Sequence, residues 1–217
     1  FPAEKILLTG NPVRQDLTDP DITRETAAAT FGLSPGIPTI LLVGGSLGAR
    51  TLNQSVLMNL NAIAQAPIQF IWQTGGYYSA HIKEELSRKG KPDNLYVTDF
   101  ISRMDYAYRA ADLVISRAGA GSISELCLLG KPAILVPSPN VAEDHQTHNA
   151  MALTERGAAL MVRDADAIET LITLAIKTVG DAATLKSLGE HAYGMAFKDS
   201  ARVIAGEVLK LAKNAQS

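Results

Sequence analysis

The chain has 217 residues, a formal net charge of −2 and 47% hydrophobic residues. That is length enough for a sizeable core in one large or two small domains, with the composition of an ordinary globular protein. The near-neutral charge argues against a nucleic-acid partner, no apolar run approaches the roughly 20 residues that span a bilayer, and the single cysteine, Cys127, excludes an internal disulfide or a cysteine-cluster metal site. The opening Phe1-Pro2-Ala3-Glu4-Lys5 lacks a basic segment followed by an apolar one, so no secretory signal is expected. The absence of an initial Met, with a Phe-Pro opening, suggests a fragment or an excised domain.

In chain order, Ile6 to Leu8 reads as a short strand, and the rest of the opening 30 residues shows little regularity. Thr39 to Val43 is apolar and β-branched and ends in Gly44-Gly45; Ala49 to Ala64 then carries Leu52, Val56, Leu60 and Ile63 at helical spacing. Strands are predicted at Ile68 to Trp72, Asn94 to Val97, Asp112 to Ile115, Ala133 to Val136 and Ala159 to Val162. Helices are predicted at Tyr78 to Lys89, Met104 to Ala110, Ser122 to Leu129 and Asp144 to Arg156. From Ala165 onward the pattern is helical only, through Ile168 to Ile176, Asp181 to Phe197 and Ser200 to Lys213. Trp72 reads as core, and Cys127, among leucines, as a buried thiol.

This alternation predicts an α/β fold, a Rossmann-like, mainly parallel sheet with helices on both faces and a helical C-terminal tail. Ligands on such sheets bind beyond the carboxyl ends of the strands. The small-residue and polar clusters fall there: Gly44 to Gly48, Thr74 to Gly76, Asp99 to Ser102, Arg117 to Ser122 and Ser138 to Gln146.

The most informative cluster is Ser116-Arg117-Ala118-Gly119-Ala120-Gly121-Ser122-Ile123-Ser124-Glu125. A strand that ends in small residues and opens a helix presents free N–H groups to an anion. Glu125, a turn further on, suits the hydroxyls of a sugar nucleotide. Ser122 and Glu125 also have the spacing of a capping box. Gly44-Gly45-Ser46-Leu47-Gly48-Ala49-Arg50 reads as a second anion loop, with Ser46 as a phosphate donor; it has neither the Walker A pattern nor Gly-x-Gly-x-x-Gly. Gly10-Asn11-Pro12-Val13-Arg14 ends in a guanidinium able to hold a phosphate or a base carbonyl, or simply solvated after a turn. The Ile101 backbone lies at a strand end where a base edge can pair. Gln146 and Asn149 share a helix face and, as amides, can both donate to and accept from sugar hydroxyls. Asp144 is placed to cap that helix. His145 and His148 are spaced as a ligand pair beside Asp144, but no further ligand is evident, and no metal is expected.

Taken in order, Gly10-Asn11-Pro12-Val13-Arg14, Gly44-Gly45-Ser46-x-Gly48-Ala49, Asp99-Phe100-Ile101, Arg117-x-Gly119-Ala120-x-Ser122-x-Ser124-Glu125 and Gln146-x-x-Asn149-Ala150 resemble the MurG family. These are bacterial undecaprenyldiphospho-muramoylpentapeptide N-acetylglucosaminyltransferases. The resemblance covers nearly the whole chain. It implies one half of a GT-B glycosyltransferase, the carboxyl-terminal donor-binding domain, over residues 1–198, with 199–217 as a helix crossing to an absent N-terminal domain. The implied reaction moves N-acetylglucosamine from UDP-N-acetylglucosamine to the muramoyl 4-hydroxyl of lipid I, giving lipid II with inversion, without a cofactor. Arg14 would lie at the uridine or its phosphate, Ser46 at the diphosphate, and Ile101 at uracil. Ala118, Gly119, Ala120, Gly121 and Ser122 would serve the diphosphate, Glu125 the ribose, and Gln146 and Asn149 the sugar. His145 departs from the second amide that some members carry beside Gln146. The catalytic base and the lipid I site are expected in the other half, so donor binding without turnover is expected here. The full enzyme would be cytoplasmic, peripheral on the inner membrane, with its membrane contact outside this chain. A UDP-N-acetylglucosamine 2-epimerase-like enzyme, with Glu143 and Asp144 as candidate acid/base groups, and a non-catalytic nucleotide-sugar sensor are the alternatives.

Overall fold

The computed structural model describes residues 2–214; Phe1 and residues 215–217, the end of the expected tail, lie outside it. The strands are β1 (Thr39–Val43), β2 (Gln69–Gln73), β3 (Leu95–Thr98), β4 (Leu113–Ser116), β5 (Ala133–Leu135) and β6 (Leu160–Met161). Among the described residues they form one sheet in the order β3-β2-β1-β4-β5-β6, every neighbouring pair parallel. The helices are α1 (Arg24–Thr30), α2 (Arg50–Met58), α3 (Leu60–Gln65), α4 (Ser79–Lys89), α5 (Met104–Ala110), α6 (Ala120–Leu129), α7 (His145–Thr154), α8 (Ala167–Val179), α9 (Ala182–Gly194) and α10 (Ser200–Asn214).

The central strands are continuous apolar runs because both faces of the sheet are covered. Alternate side chains serve opposite cores. Ile40 and Leu42, with Phe70, Trp72, Leu113 and Ile115, pack under α2, α3, α4 and α8. Leu41 and Val43, with Ile71 and Val114, pack under α1, α5, α6, α7 and α9. Trp72 is core as expected, its indole N–H donating to Asn53 Oδ1 at 2.9 Å. Cys127 is buried, and burial raises its thiol pKa.

The chain runs outward from β1 through β2 to β3, then returns to lay β4 on the other side of β1. The crevice between β1 and β4 is therefore the topological switch point, where a parallel sheet opens a ligand site. The loops at its mouth are Gly44 to Ala49 and Arg117 to Gly119.

Several local expectations are corrected. Ile6 to Leu8 is not a strand; it follows a 3-10 turn at Ala3–Lys5, with Ile6 63% and Leu8 77% exposed. An isolated apolar triplet without a paired edge gains no ladder hydrogen bonds. The single helix expected over Ala49 to Ala64 is divided at Asn59, whose side-chain amide donates to the Ser55 carbonyl at 2.8 Å and to the Ile168 carbonyl at 3.1 Å. In the irregular opening segment lies α1, capped by Thr23, whose hydroxyl accepts from Thr26 N. It is anchored by a two-pronged Arg24–Asp112 pair at 2.6 and 2.7 Å.

Candidate functional site

The chain leaves β4 at Ser116 and enters α6 through Gly119, an extended N-cap with no side-chain cap. The first hydrogen bond of the helix runs from Ile123 N to the Gly119 carbonyl at 3.0 Å. Ser122 thus stands within the first turn, and the capping-box reading of Ser122 and Glu125 is not realised. The amides of Ala120, Gly121 and Ser122 precede that first bond, and with the helix dipole they form an anion-directed end. Ala118 is buried, and its carbonyl accepts from Asn149 Nδ2 at 3.0 Å.

Glu125 does not face back to the helix start. Its Oε2 accepts from the Tyr108 hydroxyl of α5 at 2.8 Å. Burial first, and then the nearby carboxylate, push the Tyr108 pKa well above its ordinary value. The phenol therefore stays protonated, orients Glu125, and leaves Oε1 to accept from a ligand.

The Gly44 to Ala49 loop is set by backbone contact. Gly48 has φ +83 and Gly75 φ +79, and the two backbones lie against one another. A Cβ at Gly48 would collide with the Thr74 carbonyl oxygen, and one at Gly75 with Gly48 N. The loops after β1 and β2 are thereby interlocked beside the start of α2.

Two adjoining cavities open at this carboxyl edge. The larger, about 680 Å³, is lined by Gly44, Gly48, Arg50, Thr51, Arg117, Gly119, Ser138, Gln146 and Asp164, among others. The smaller, about 250 Å³, is lined by Arg14, Ser46, Phe100, Ile101, Tyr108 and Glu125, among others. Gly45 and Ser122 line both. Arg14, Ser46, Ile101, Ser122 and Glu125 are thus gathered at one end, and Gly119, Ser122 and Gln146 at the other. Ala118, Ala120, Gly121 and Asn149 are not wall residues of either cavity; Ala120 and Gly121 contribute backbone amides at the start of α6, and the Asn149 amide holds the Ala118 carbonyl. Gln146 Oε1 accepts from Ser138 N at 2.9 Å, so one of its polar atoms fixes the loop after β5. A further cavity, about 720 Å³, opens at the opposite, amino edge, among Pro38, Pro67 and Pro92, far from these helix starts.

Near α7, Glu143 and Asp144 have φ +53 and +50, a costly conformation for residues with a Cβ. Asp144 occupies the N-cap position, but its carboxylate accepts from the Thr147 hydroxyl at 2.7 Å instead of from a backbone amide. Among the described residues no three His, Cys, Asp or Glu side chains gather as a metal would require.

Other features escape a linear reading. Asn11 Nδ2 donates to the Ala120 carbonyl at 3.3 Å and to Ser124 Oγ at 3.1 Å, docking the Gly10 to Arg14 segment onto α6 across more than 100 residues. Arg117 is a second such feature. Its Nη1 donates to the Val136 and Pro137 carbonyls at 3.0 and 3.2 Å and to the Asp164 carboxylate.

Comparison with known proteins adds a family to this geometry. Residues 39–204 match the model of the glycosyltransferase family 28 C-terminal domain. A curated UDP-N-acetylglucosamine–N-acetylmuramyl-(pentapeptide) pyrophosphoryl-undecaprenol N-acetylglucosamine transferase of Phocaeicola vulgatus is 58% identical over 98% of this chain and 56% of its own length. The like-named protein of Bacteroides thetaiotaomicron is 56% identical over 98% of this chain and 58% of its own. The chain therefore spans little more than half the length of these relatives. The crystal structure of Acinetobacter baumannii MurG aligns with TM-score 0.71 and 27% identity, over 94% of this chain and 57% of that one. The chain belongs to glycosyltransferase family 28, as its C-terminal domain, and is similar to the carboxyl-terminal half of the MurG-type transferases.

Proposed function

We propose that this chain is the donor-binding domain of an inverting N-acetylglucosaminyltransferase of peptidoglycan synthesis, taking UDP-N-acetylglucosamine as donor. The observation that carries this is the placement of Glu125, oriented by Tyr108 at 2.8 Å, in the wall of the smaller of two adjoining cavities at the switch point, one turn from Ser122, which lines both, and the open amides of α6. A nucleoside fits the smaller cavity, with Ile101 at the base, Glu125 on the ribose and Arg14 at its mouth. The diphosphate lies across the start of α6, and the sugar lies toward Gln146. The names of the relatives give the donor and the acceptor class that this reading adopts.

In this reading the acceptor, lipid I, attacks the anomeric carbon through its muramoyl 4-hydroxyl as the bond to the UDP oxygen breaks. Charge developing on the leaving diphosphate is stabilised by the α6 amides and nearby guanidinium groups. The base that takes the acceptor proton, the lipid site and the contact with the cytoplasmic membrane face are assigned to the length of the relatives that this chain does not span. The apolar end of α10 is assigned to packing on that same portion.

Titration calorimetry with UDP-N-acetylglucosamine, UDP and ADP tests the reading. Saturable binding that prefers the uridine ligands, with tighter binding of the sugar nucleotide than of UDP, is expected. Equal binding of UDP and UDP-N-acetylglucosamine would favour a nucleotide sensor, and indifference between UDP and ADP would overturn the donor assignment.

A further inference from the structure

Asp164 follows β6 in sequence, outside every motif read from the chain, yet its side chain reaches the switch-point crevice. One carboxylate oxygen accepts from Arg117 Nη1, at the wall contributed by β4. The other accepts from the Thr51 hydroxyl at 2.9 Å, in the first turn of α2, at the wall contributed by β1. The Arg117 side chain is 15% exposed and that of Asp164 20%, so this is a largely desolvated, charge-assisted pair, whose geometry is held more firmly than that of a surface ion pair. Arg117 is also tied to the Val136 and Pro137 carbonyls at the end of β5. Its Nη2 and Nε make no protein hydrogen bond among the described residues, and it lines the larger cavity. A single carboxylate therefore couples the loop after β4, the end of β5 and the start of α2.

We propose that Asp164 is a positioning residue, which sets the spacing of the α2 and α6 starts and aims the Arg117 guanidinium into the cavity between them. Asp164 also lines the larger cavity, but both of its oxygens are engaged by protein donors, so its action on the ligand runs through Arg117 and Thr51. The ligand class, a nucleoside diphosphate, rests on the donor-binding reading above. A merely electrostatic role has the opposite sign: a negative charge lining an anion cavity would weaken binding, and its removal would strengthen it.

Asp164→Ala removes both hydrogen bonds, whereas Asp164→Asn keeps an oxygen for Arg117 and an amide that can donate to Thr51. In the ligand-free chain, hydrogen exchange is expected to rise in residues 44–52 and 117–122 for Asp164→Ala and to stay near wild type for Asp164→Asn. In titrations, Asp164→Ala is expected to weaken UDP about tenfold, the loss of one charge-assisted hydrogen bond's worth of ordering, with uridine unchanged. Asp164→Asn should restore most of that loss. Thr51→Val should weaken UDP in the same direction and add little on top of Asp164→Ala. Unchanged exchange at both loops overturns the proposal whatever the chain binds, as does equal weakening of UDP and uridine, or tighter UDP binding by both variants. If exchange responds as stated but wild type binds neither UDP nor uridine, the coupling stands and the donor reading fails.

Discussion

At the scale of single residues, the proposed donor site turns on a carboxylate held by a phenol. In the proposed role, Glu125 accepts from a ribose diol through Oε1, and the Tyr108 hydroxyl, donating to Oε2 at 2.8 Å, fixes the rotamer that leaves Oε1 open. Glu125→Gln replaces one acceptor by a donor and removes the charge, so binding of UDP-N-acetylglucosamine should weaken by about 1.5–3 kcal/mol, the worth of hydrogen bonds to a charged group. Tyr108→Phe keeps the charge and loses only the orientation, so its effect should be smaller, about 1 kcal/mol. The informative ligand is 2′-deoxy-UDP. Wild type should prefer UDP over it, and Glu125→Gln should not; an unchanged preference would remove Glu125 from the ribose. That Glu125 lies at the carboxyl edge, where it lines a cavity, was legible because strand, small residues and acidic helix turn are contiguous in sequence. Its partner was not, because Tyr108 is 17 residues away on another helix. The same limit hid Asp164, which meets Arg117 across 47 residues and Thr51 across 113. Local spacing shows which groups carry chemistry, whereas only the closed fold shows which groups orient them.

At the scale of elements, the interlock of two strand-end loops holds the start of α2 in place. Gly48→Ala demands a side chain at φ +83 and drives its Cβ into the Thr74 carbonyl oxygen, which Asn53 Nδ2 already holds at 2.9 Å. The loop cannot yield without breaking that buried bond, so a destabilisation of roughly 2–4 kcal/mol is expected. Gly76→Ala, nearby in the same loop cluster, meets nothing within 4 Å and should change stability by no more than about 0.5 kcal/mol. Urea denaturation of both variants, read as a shift in midpoint at constant slope, checks the contrast; equal midpoints would show that the close approach is not structural. Elements with a long-range reason to be apolar were legible, as in β1, whose residues are all buried between two cores. The exception at α1 is instructive. It is short and rich in alanine, buries only Ala27 and Ala28, and is held by the Arg24–Asp112 pair, so it presents no periodic stripe of large apolar groups. The break at Asn59 is equally silent in a hydrophobic pattern, because Leu60 and Ile63 continue the helical spacing across it.

At the scale of the whole molecule, burial is uneven. The sheet is covered on both faces, but the terminal segments leave apolar groups in water. Along α10, Val203 and Ile204 are half-buried, whereas Val208 is 59% and Leu211 70% exposed. Ile204, Val208 and Leu211 recur at the spacing of one helical face, so the stripe begins against the domain and continues into solvent. The opening segment passes close by, since Gly10 sits against Phe197 and Ser200 at the α9–α10 junction, and Ile6, Leu7 and Leu8 precede it unburied. An uncovered apolar face of this kind drives association when nothing else occupies it. Sedimentation velocity over a rising concentration series should therefore show the isolated chain self-associating. Val208→Lys combined with Leu211→Glu, an i,i+3 pair on the exposed stretch, should return it to a monomer and leave UDP-N-acetylglucosamine binding intact, because neither residue lines the carboxyl-edge cavities. A wild-type chain that stays monomeric throughout and binds no apolar dye would show that α10 and the opening segment cover one another in solution, and the assignment of α10 to packing on a further portion of the protein would fall with it.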